Sequence, residues 1–370
     1  MNEDLGTNEK GSVGRRVAAN TGLMVAAKLS AALIGLTSLI LLTRNLPIGD
    51  VGILLFLHAY MLLFAEVATF QSWQAVIRYG TPDIEAKDTN AFLRLIRFCI
   101  ALDFVGALAA FILAIAGLLC LNWILPYLPS FQGEAEVAKA SVIVKFGIPY
   151  CLLILLHQGG VSTGLFRVFD KFLPLALQTL VMPVTRLLGA VTVLVLGAGL
   201  DGFVLAWFIG SFAGYVSLPL MAMWELKQRN LLRKLFAVWP TLRTNRQGIW
   251  PFVWKANIDS SLATGTTHLP VLLVMPIFGT AFVSIYKVAD DIAKLLSEAM
   301  LLLDRVIYPE YARMMHRGQS AEIWKLVLKT AAILLAFGLA CAALPAFLGP
   351  YVIPWVFGYG YAGSVALSVL

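Results

Sequence analysis

Between Tyr286 and Arg305 the sequence reads YKVADDIAKLLSEAMLLLDR, with Lys287, Asp290, Asp291, Lys294, Glu298, Asp304 and Arg305 set among leucines and alanines. On a helix of about 100° per residue, Asp291, Lys294, Glu298 and Arg305 fall within about 40° of Lys287, and Asp290 lies about 60° away. The charges therefore form one stripe. Lys287 with Asp291, Asp290 with Lys294, and Lys294 with Glu298 are i,i+4 partners, the spacing at which opposite charges meet on a helix. Such a stripe either fixes packing against a partner helix or lines a water-filled cavity. In a cavity its lysines can hold an anion, while Asp291 and Glu298 tune them or hold a coupling cation. A stripe of this length needs more solvent than one partner helix leaves, which favours the cavity.

Asn257, Ser261, Thr264 and His268 share one face of the preceding apolar run. Hydroxyl side chains in such runs are commonly interhelical hydrogen bonders. His268 is either a proton carrier or a structural imidazole. Lys28 and Arg186 lie deep in other apolar runs, where snorkelling to an interface is not the favoured account. Glu66, Asp103 and Lys145 are further isolated charges. Arg186 follows Pro183 by three residues, a position where a kink would open the backbone. No HExxH or P-loop motif occurs. The expectation is a protein that moves something and is not an enzyme, with no cofactor and no metal centre beyond H+ or Na+ as a coupling ion.

The segments that position these groups are membrane helices. Hydrophobic residues make up 59% of the chain and charged residues 13%, about half the roughly 25% charge of a soluble domain. With about 20 apolar residues to a span, the sequence contains nine spans and the beginning of a tenth. They start near Val17, Val51, Phe92, Ala138, Leu173, Phe203, Trp250, Phe282 and Leu326, and the tenth near Tyr361. The tenth stops in mid-run at Leu370, which reads as a truncated chain. Cations cluster in alternate loops: Arg15 and Arg16, then Arg78 to Arg97, Arg167 and Lys171, the stretch KQRNLLRKLFAVWPTLRTNRQ, and Arg313 to Lys325. The intervening loops carry Arg44, Lys139 and several acids. The positive-inside rule places the N-terminus and the basic stretch in the cytoplasm. It also accounts for the net charge of +7 without nucleic acid. The polar N-terminus precedes a run too long for a signal-peptide core and reads as a tail before an uncleaved helix. Cys99, Cys120, Cys151 and Cys341 are dispersed small hydrophobes with no C-x-x-C spacing.

A faint internal echo relates NTGLMVAAKLSAAL with LPIGDVGILLFLHAY in the first half to NIDSSLATGTTHL with MPIFGTAFVSIYKVA in the second. The offset, about 230 residues, would give two halves of the same orientation, a known transporter plan.

NTG at Asn20, LLTRNLPIGDVGILLF from Leu41, QSWQAVIRYG from Gln71, GLFRVFDKF from Gly164, KVADDI, YPEYARM from Tyr308 and FGYGYAGSVALSVL from Phe357 resemble, in order and position, one family. It is the multidrug/oligosaccharidyl-lipid/polysaccharide exporter superfamily, and within it the Wzx-type O-antigen flippases. The resemblance covers nearly the whole chain. It implies an all-α, polytopic, two-lobed bundle with a central cavity, like that of the MATE exporters. Residues 1–225 would form an N-lobe of six spans, 226–247 a basic cytoplasmic linker, and 248–370 a partial C-lobe of about three and a half spans.

The implied substrate is undecaprenyl diphosphate bearing an oligosaccharide for lipopolysaccharide O-antigen or another surface polysaccharide. It would be moved across the bacterial inner membrane by alternating access. Membrane lipids and other polysaccharide-assembly proteins are the implied partners. Lys28, Arg186, Lys287 and Lys294 would contact the diphosphate, with Asp291, Glu298, Asn257 and His268 as polar or coupling groups of the cavity. A multidrug exporter of the same superfamily, a membrane-embedded glycan polymerase and a non-transporting scaffold are the alternatives. The first would want an acidic cavity and the second a sizeable outer loop.

Overall fold

The computed structural model describes residues 4–128, 131, 134–237, 242, 246–294 and 320–369. Backbone amides and carbonyls in hydrocarbon must be paired within the segment itself, so apolar runs of this length become helices. Those described are α1 (Asp4–Asn45), α2 (Ile48–Ala68), α3 (Ser72–Glu85), α4 (Thr89–Ile124), α5 (Glu134–Leu156), α6 (Gly159–Val168), α7 (Leu173–Leu196), α8 (Gly199–Gln228), α9 (Leu232–Ala237) and α10 (Ile249–Phe278). They are followed by α11 (280–294), α12 (Ser320–Phe357) and α13 (Ser364–Val369). Among the described residues seven helices are long and apolar enough to cross a membrane, and they are the first seven spans expected from the sequence. The chain is a multi-pass, all-helical membrane protein. The eighth span is described as far as Lys294, and Glu298, Asp304 and Arg305 lie outside the described residues. The ninth continues beyond Leu348 to Phe357 within α12.

The second and fourth spans, expected to end near Phe70 and His157, stop within two residues of those points, and each is followed by a short helix that was not expected. α2 ends at Ala68, Thr69 turns extended, and α3 starts anew at Ser72. α5 ends at Leu156 and α6 starts at Gly159. Asp103, buried on α4, meets both breaks. Its carboxylate accepts a hydrogen bond from the Ser72 hydroxyl at the head of α3. On the other side the Gln158 side chain donates to the Asp103 carbonyl at 3.3 Å. A Cβ on Gly160 would lie 3.2 Å from Asp103 Oδ2, so glycine there lets α6 start close against that carboxyl without displacing it.

Small residues let helices approach closely in a bilayer, where apolar burial drives no association. α7 lies on α8 through Gly210 and Gly214, where added Cβ atoms would meet Arg186 Cγ at 2.5 Å and Met182 Cβ at 2.9 Å. Gly52 of α2 lets the Thr280 carbonyl of α11 approach so closely that any Cβ would overlap it.

Contacts at the two ends sort the loops as the charge count does. At one end Arg97 Nε donates to Leu235 O at 2.8 Å, Lys171 and Arg229 both reach Glu225 at 2.6 Å, and Arg246 pairs with Asp83. At the other, Arg44 Nε donates to Val356 O at 2.8 Å, and Ser284 Oγ donates to Ile48 O at 2.6 Å. The second set ties the α1–α2 turn to α11 and α12. Cys99 and Cys151 are buried, and with Cys120 they are free thiols.

Candidate functional site

A cavity of about 370 Å³ lies between α1, α2, α7, α8, α10 and α11. Arg186, His268, Lys287, Asp291 and Lys294 all line it, together with His58 of α2 and Trp207 of α8. Arg186 and His58 sit near the middle of their spans, where a charge costs ~2.5–3.5 kcal/mol on insertion scales.

Arg186 is held by neutral groups. One guanidinium nitrogen donates to Ser211 Oγ at 2.7 Å and lies 3.0 Å from His58 Nε2. The guanidinium carbon stands 4.4 Å from the Trp207 ring centroid, a cation–π arrangement. Arginine has only donors, so at least one of the His58 nitrogens it faces, Nε2 or Nδ1 at 3.3 Å, must accept, and the imidazole is neutral. Tyr150 Oη lies 3.2 Å from that Nδ1 and completes the chain. The Nε of Arg186 is buried and makes no hydrogen bond. Among the described residues no carboxylate pairs with Arg186. α7 stays helical across Pro183, so the residue is presented by a continuous helix and not by an opened backbone.

The α11 stripe neutralises itself. Lys287 Nζ donates to Asp290 Oδ2 at 3.0 Å and to Asp291, and Lys294 Nζ donates to Asp290 Oδ2 at 2.6 Å. Two lysines and two aspartates leave no net charge on this wall. Arg186 is therefore the cation of the cavity that lacks a counter-charge among the described residues, a distinction that spacing alone did not make.

His268 Nε2 lies 3.9 Å from Glu66 Oε2, and Glu66 accepts from Thr264 Oγ1 at 2.9 Å. Two expected cavity residues are elsewhere. Asn257 Nδ2 donates to the carbonyls of Val67 and Thr69 at 3.1 and 3.3 Å, and Ser261 Oγ donates to Val67 O at 3.1 Å. The α2–α3 break frees those carbonyls, and the polar face of α10 satisfies them, so Asn257 is an interhelical cap. Lys28 is exposed and lines a separate pocket with Arg16 and Arg167. Glu298 lies outside the described residues. Sequence reasoning missed His58, Trp207 and Ser211. Trp207, Gly210, Ser211 and Gly214 recur at i, i+3, i+4 and i+7, a helical face that would have marked where α7 sits.

Such a cavity can bind an anion. A guanidinium short of one partner in a low-dielectric site gains from phosphate or carboxylate, and the neutral imidazole and hydroxyl orient it without competing for it. Among the described residues no three His, Cys, Asp or Glu side chains are grouped to hold a metal.

No family model matches the chain. It is 26% identical over 347 residues to inner membrane protein YghQ of Escherichia coli (strain K12), with 94% of each chain covered. Among solved structures it is similar to an inward-facing conformation of a multidrug resistance MATE family transporter of the MOP superfamily. The TM-score is 0.67 at 14% identity, over 93% of this chain and 78% of that one. The fold is thus that of a MATE-type transporter, a helical bundle about a central cavity.

Proposed function

We propose that this protein is an exporter of the bacterial inner membrane in the MOP superfamily, and specifically a flippase for an oligosaccharide carried on undecaprenyl diphosphate. The MATE-type fold and the similarity to a protein named for the inner membrane support the coarser part of this reading. The observation that carries the finer part is Arg186, half-buried in the cavity wall with a buried, unbonded Nε and no carboxylate partner among the described residues. A diphosphate supplies the missing counter-charge. Lys287 and Lys294, which donate to Asp290 and Asp291, can exchange those carboxylates for phosphate oxygens as the headgroup arrives. The lipid tail stays in the bilayer, so a cavity of about 370 Å³ need hold only the diphosphate and the nearest sugar.

On this reading residues 1–225 and 248–370 are the two lobes, 226–247 is a cytoplasmic linker, and the N-terminus is cytoplasmic. The contacts of Arg44 and Ser284 close the outer end, and their release is the other half of an alternating-access cycle.

The test is made in cells lacking the gene, by measuring on which leaflet lipid-linked oligosaccharide accumulates and whether surface polysaccharide is lost. Truncating one partner of a desolvated charge pair costs ~2–5 kcal/mol. Arg186→Gln is therefore expected to reduce transport about 30-fold or more, with Arg186→Lys intermediate because it lacks the planar fork. Normal surface glycan with increased sensitivity to cationic drugs would instead make the protein a multidrug exporter of the same fold.

A further inference from the structure

A second pocket, of about 450 Å³, lies where α1 passes the α6–α7 junction. It is lined by three cations, Arg16, Lys28 and Arg167, and one acid, Asp170. Arg16 is 3.7 Å from Asp170, both side chains being largely exposed. The Arg167 guanidinium rests 4.2 Å from the Trp73 ring centroid. That leaves two cations beyond the single ion pair. Asn20 and Thr21 add hydrogen-bonding groups, and Met24, Phe172 and Leu175 form an apolar wall. Arginine and lysine converging beside hydroxyl and amide groups suit a tetrahedral phosphate. The apolar wall suits the glycerol or first methylenes of a lipid, and a soluble anion would have no use for it.

The pocket adjoins the cavity along α1. Lys28 lines the pocket and Ala32 lines the cavity, and four residues of helix are about 6 Å of axis. It also lies toward the α1 N-terminus, the end at which the basic loops gather.

We infer that this pocket is a binding site for the phosphate-bearing headgroup of a lipid from the leaflet on the N-terminal side. It holds that headgroup one helical turn from the cavity. The binding stands on the pocket alone, and its use as a staging point for transport rests on the flippase reading.

The test is equilibrium lipid retention, which needs no transport. The full chain is placed in nanodiscs of phosphatidylcholine containing a minor fraction of phosphatidylglycerol, and bound phosphatidylglycerol is counted by native mass spectrometry. Each basic residue near an anionic headgroup contributes about fivefold. Lys28→Gln and Arg167→Gln should each lower retention by about that factor, and the double variant by their product. Lys28→Arg should keep it. Arg233→Gln on α9 should leave it unchanged. Wild-type retention in the double variant overturns the site. Equal loss in Arg186→Gln would mean that the lipid binds in the cavity and would also overturn it. A third arm adds inorganic pyrophosphate, and displacement of phosphatidylglycerol at low concentration would show a soluble phosphate to be the ligand and overturn the lipid assignment. Pocket variants that lose retention but transport normally would overturn the staging role alone.

Discussion

Gly210 of α8 leaves the space that Arg186 of α7 occupies: a Cβ on residue 210 would fall 2.5 Å from Arg186 Cγ and 3.3 Å from its amide nitrogen. Neither contact can be relieved by rotating the end of a side chain, so α7 itself would have to move. Overpacking of this kind costs ~1–3 kcal/mol, and the displaced helix takes the guanidinium away from Ser211. Gly210→Ala is therefore expected to lower thermal stability in detergent by about that amount and to reduce transport with it. Gly265→Ala on α10, where nothing lies within 4 Å of the added carbon, should do neither. Wild-type stability and transport in Gly210→Ala would count against this account of how the arginine is held.

The four charges on α11 form a ladder in which Lys287 serves both Asp290 and Asp291 and Lys294 serves Asp290. Removing Lys287 leaves Asp291 without its cation in a partly buried wall. Lys287→Met should destabilise the protein by ~1–3 kcal/mol, the cost of an unsatisfied polar group. Lys287→Met combined with Asp291→Leu should recover most of that, because an apolar pair replaces an ionic one at little cost. Thermal denaturation of the two single variants and the double variant forms a mutant cycle, and strict additivity would show that the pair is uncoupled.

Asp103 and Ser72 join the α2–α3 break to α4 from the interior. Ser72→Ala removes the donor that the buried carboxylate accepts from and should cost ~1–3 kcal/mol. Asp103→Asn keeps an acceptor for Ser72 and should cost less than Ser72→Ala. Hydrogen exchange of the α3 amides gives a local readout, with faster exchange at the head of α3 in Ser72→Ala than in Asp103→Asn. The reverse order would remove this bond from the account of the break.

How much of this could be read from sequence depended on whether a contact stays within one helix. The Lys287–Asp291 and Asp290–Lys294 pairs follow from helix geometry, so spacing alone finds them. Asn257 shares a helical face with His268, and that too was legible, but spacing does not say which neighbour the face meets. At its Asn257 end the neighbour is the broken end of α2, whose carbonyls of Val67 and Thr69 have no helical partner. Lys28 and Arg186 look alike as lone cations in apolar runs, yet one is exposed beside Arg167 and the other half-buried against Trp207. His58 escaped notice because a single histidine among leucines carries no period, and only the approach of α7 gives it an arginine to orient. The ends of α2 and α5 near Phe70 and His157 were legible in the polar stretches there, but the short helices α3 and α6 that restart beyond them were not, because they are held from outside by Asp103.

Arg246, just before α10, is fastened to α3 and α4. One guanidinium nitrogen donates to Tyr79 O at 3.0 Å, and the other pairs with Asp83 and reaches Ala91 O at 3.2 Å. A single planar fork thus spans the end of α3 and the start of α4, which a lysine cannot reproduce with one ammonium. Arg97 holds the adjoining α9 from α4 through Leu235 O at 2.8 Å, so loss of Arg246 alone should loosen this segment without unfolding the bundle. Arg246→Ala is expected to accelerate chymotrypsin cleavage at Phe236 several-fold, in line with ~1–3 kcal/mol for the lost charged bonds. Arg246→Lys should fall between, and Arg246→Ala with Arg97→Ala should exceed either. Cleavage at the wild-type rate in Arg246→Ala would mean that these contacts do not anchor the segment, and that the connection between the first six spans and α10 is held elsewhere.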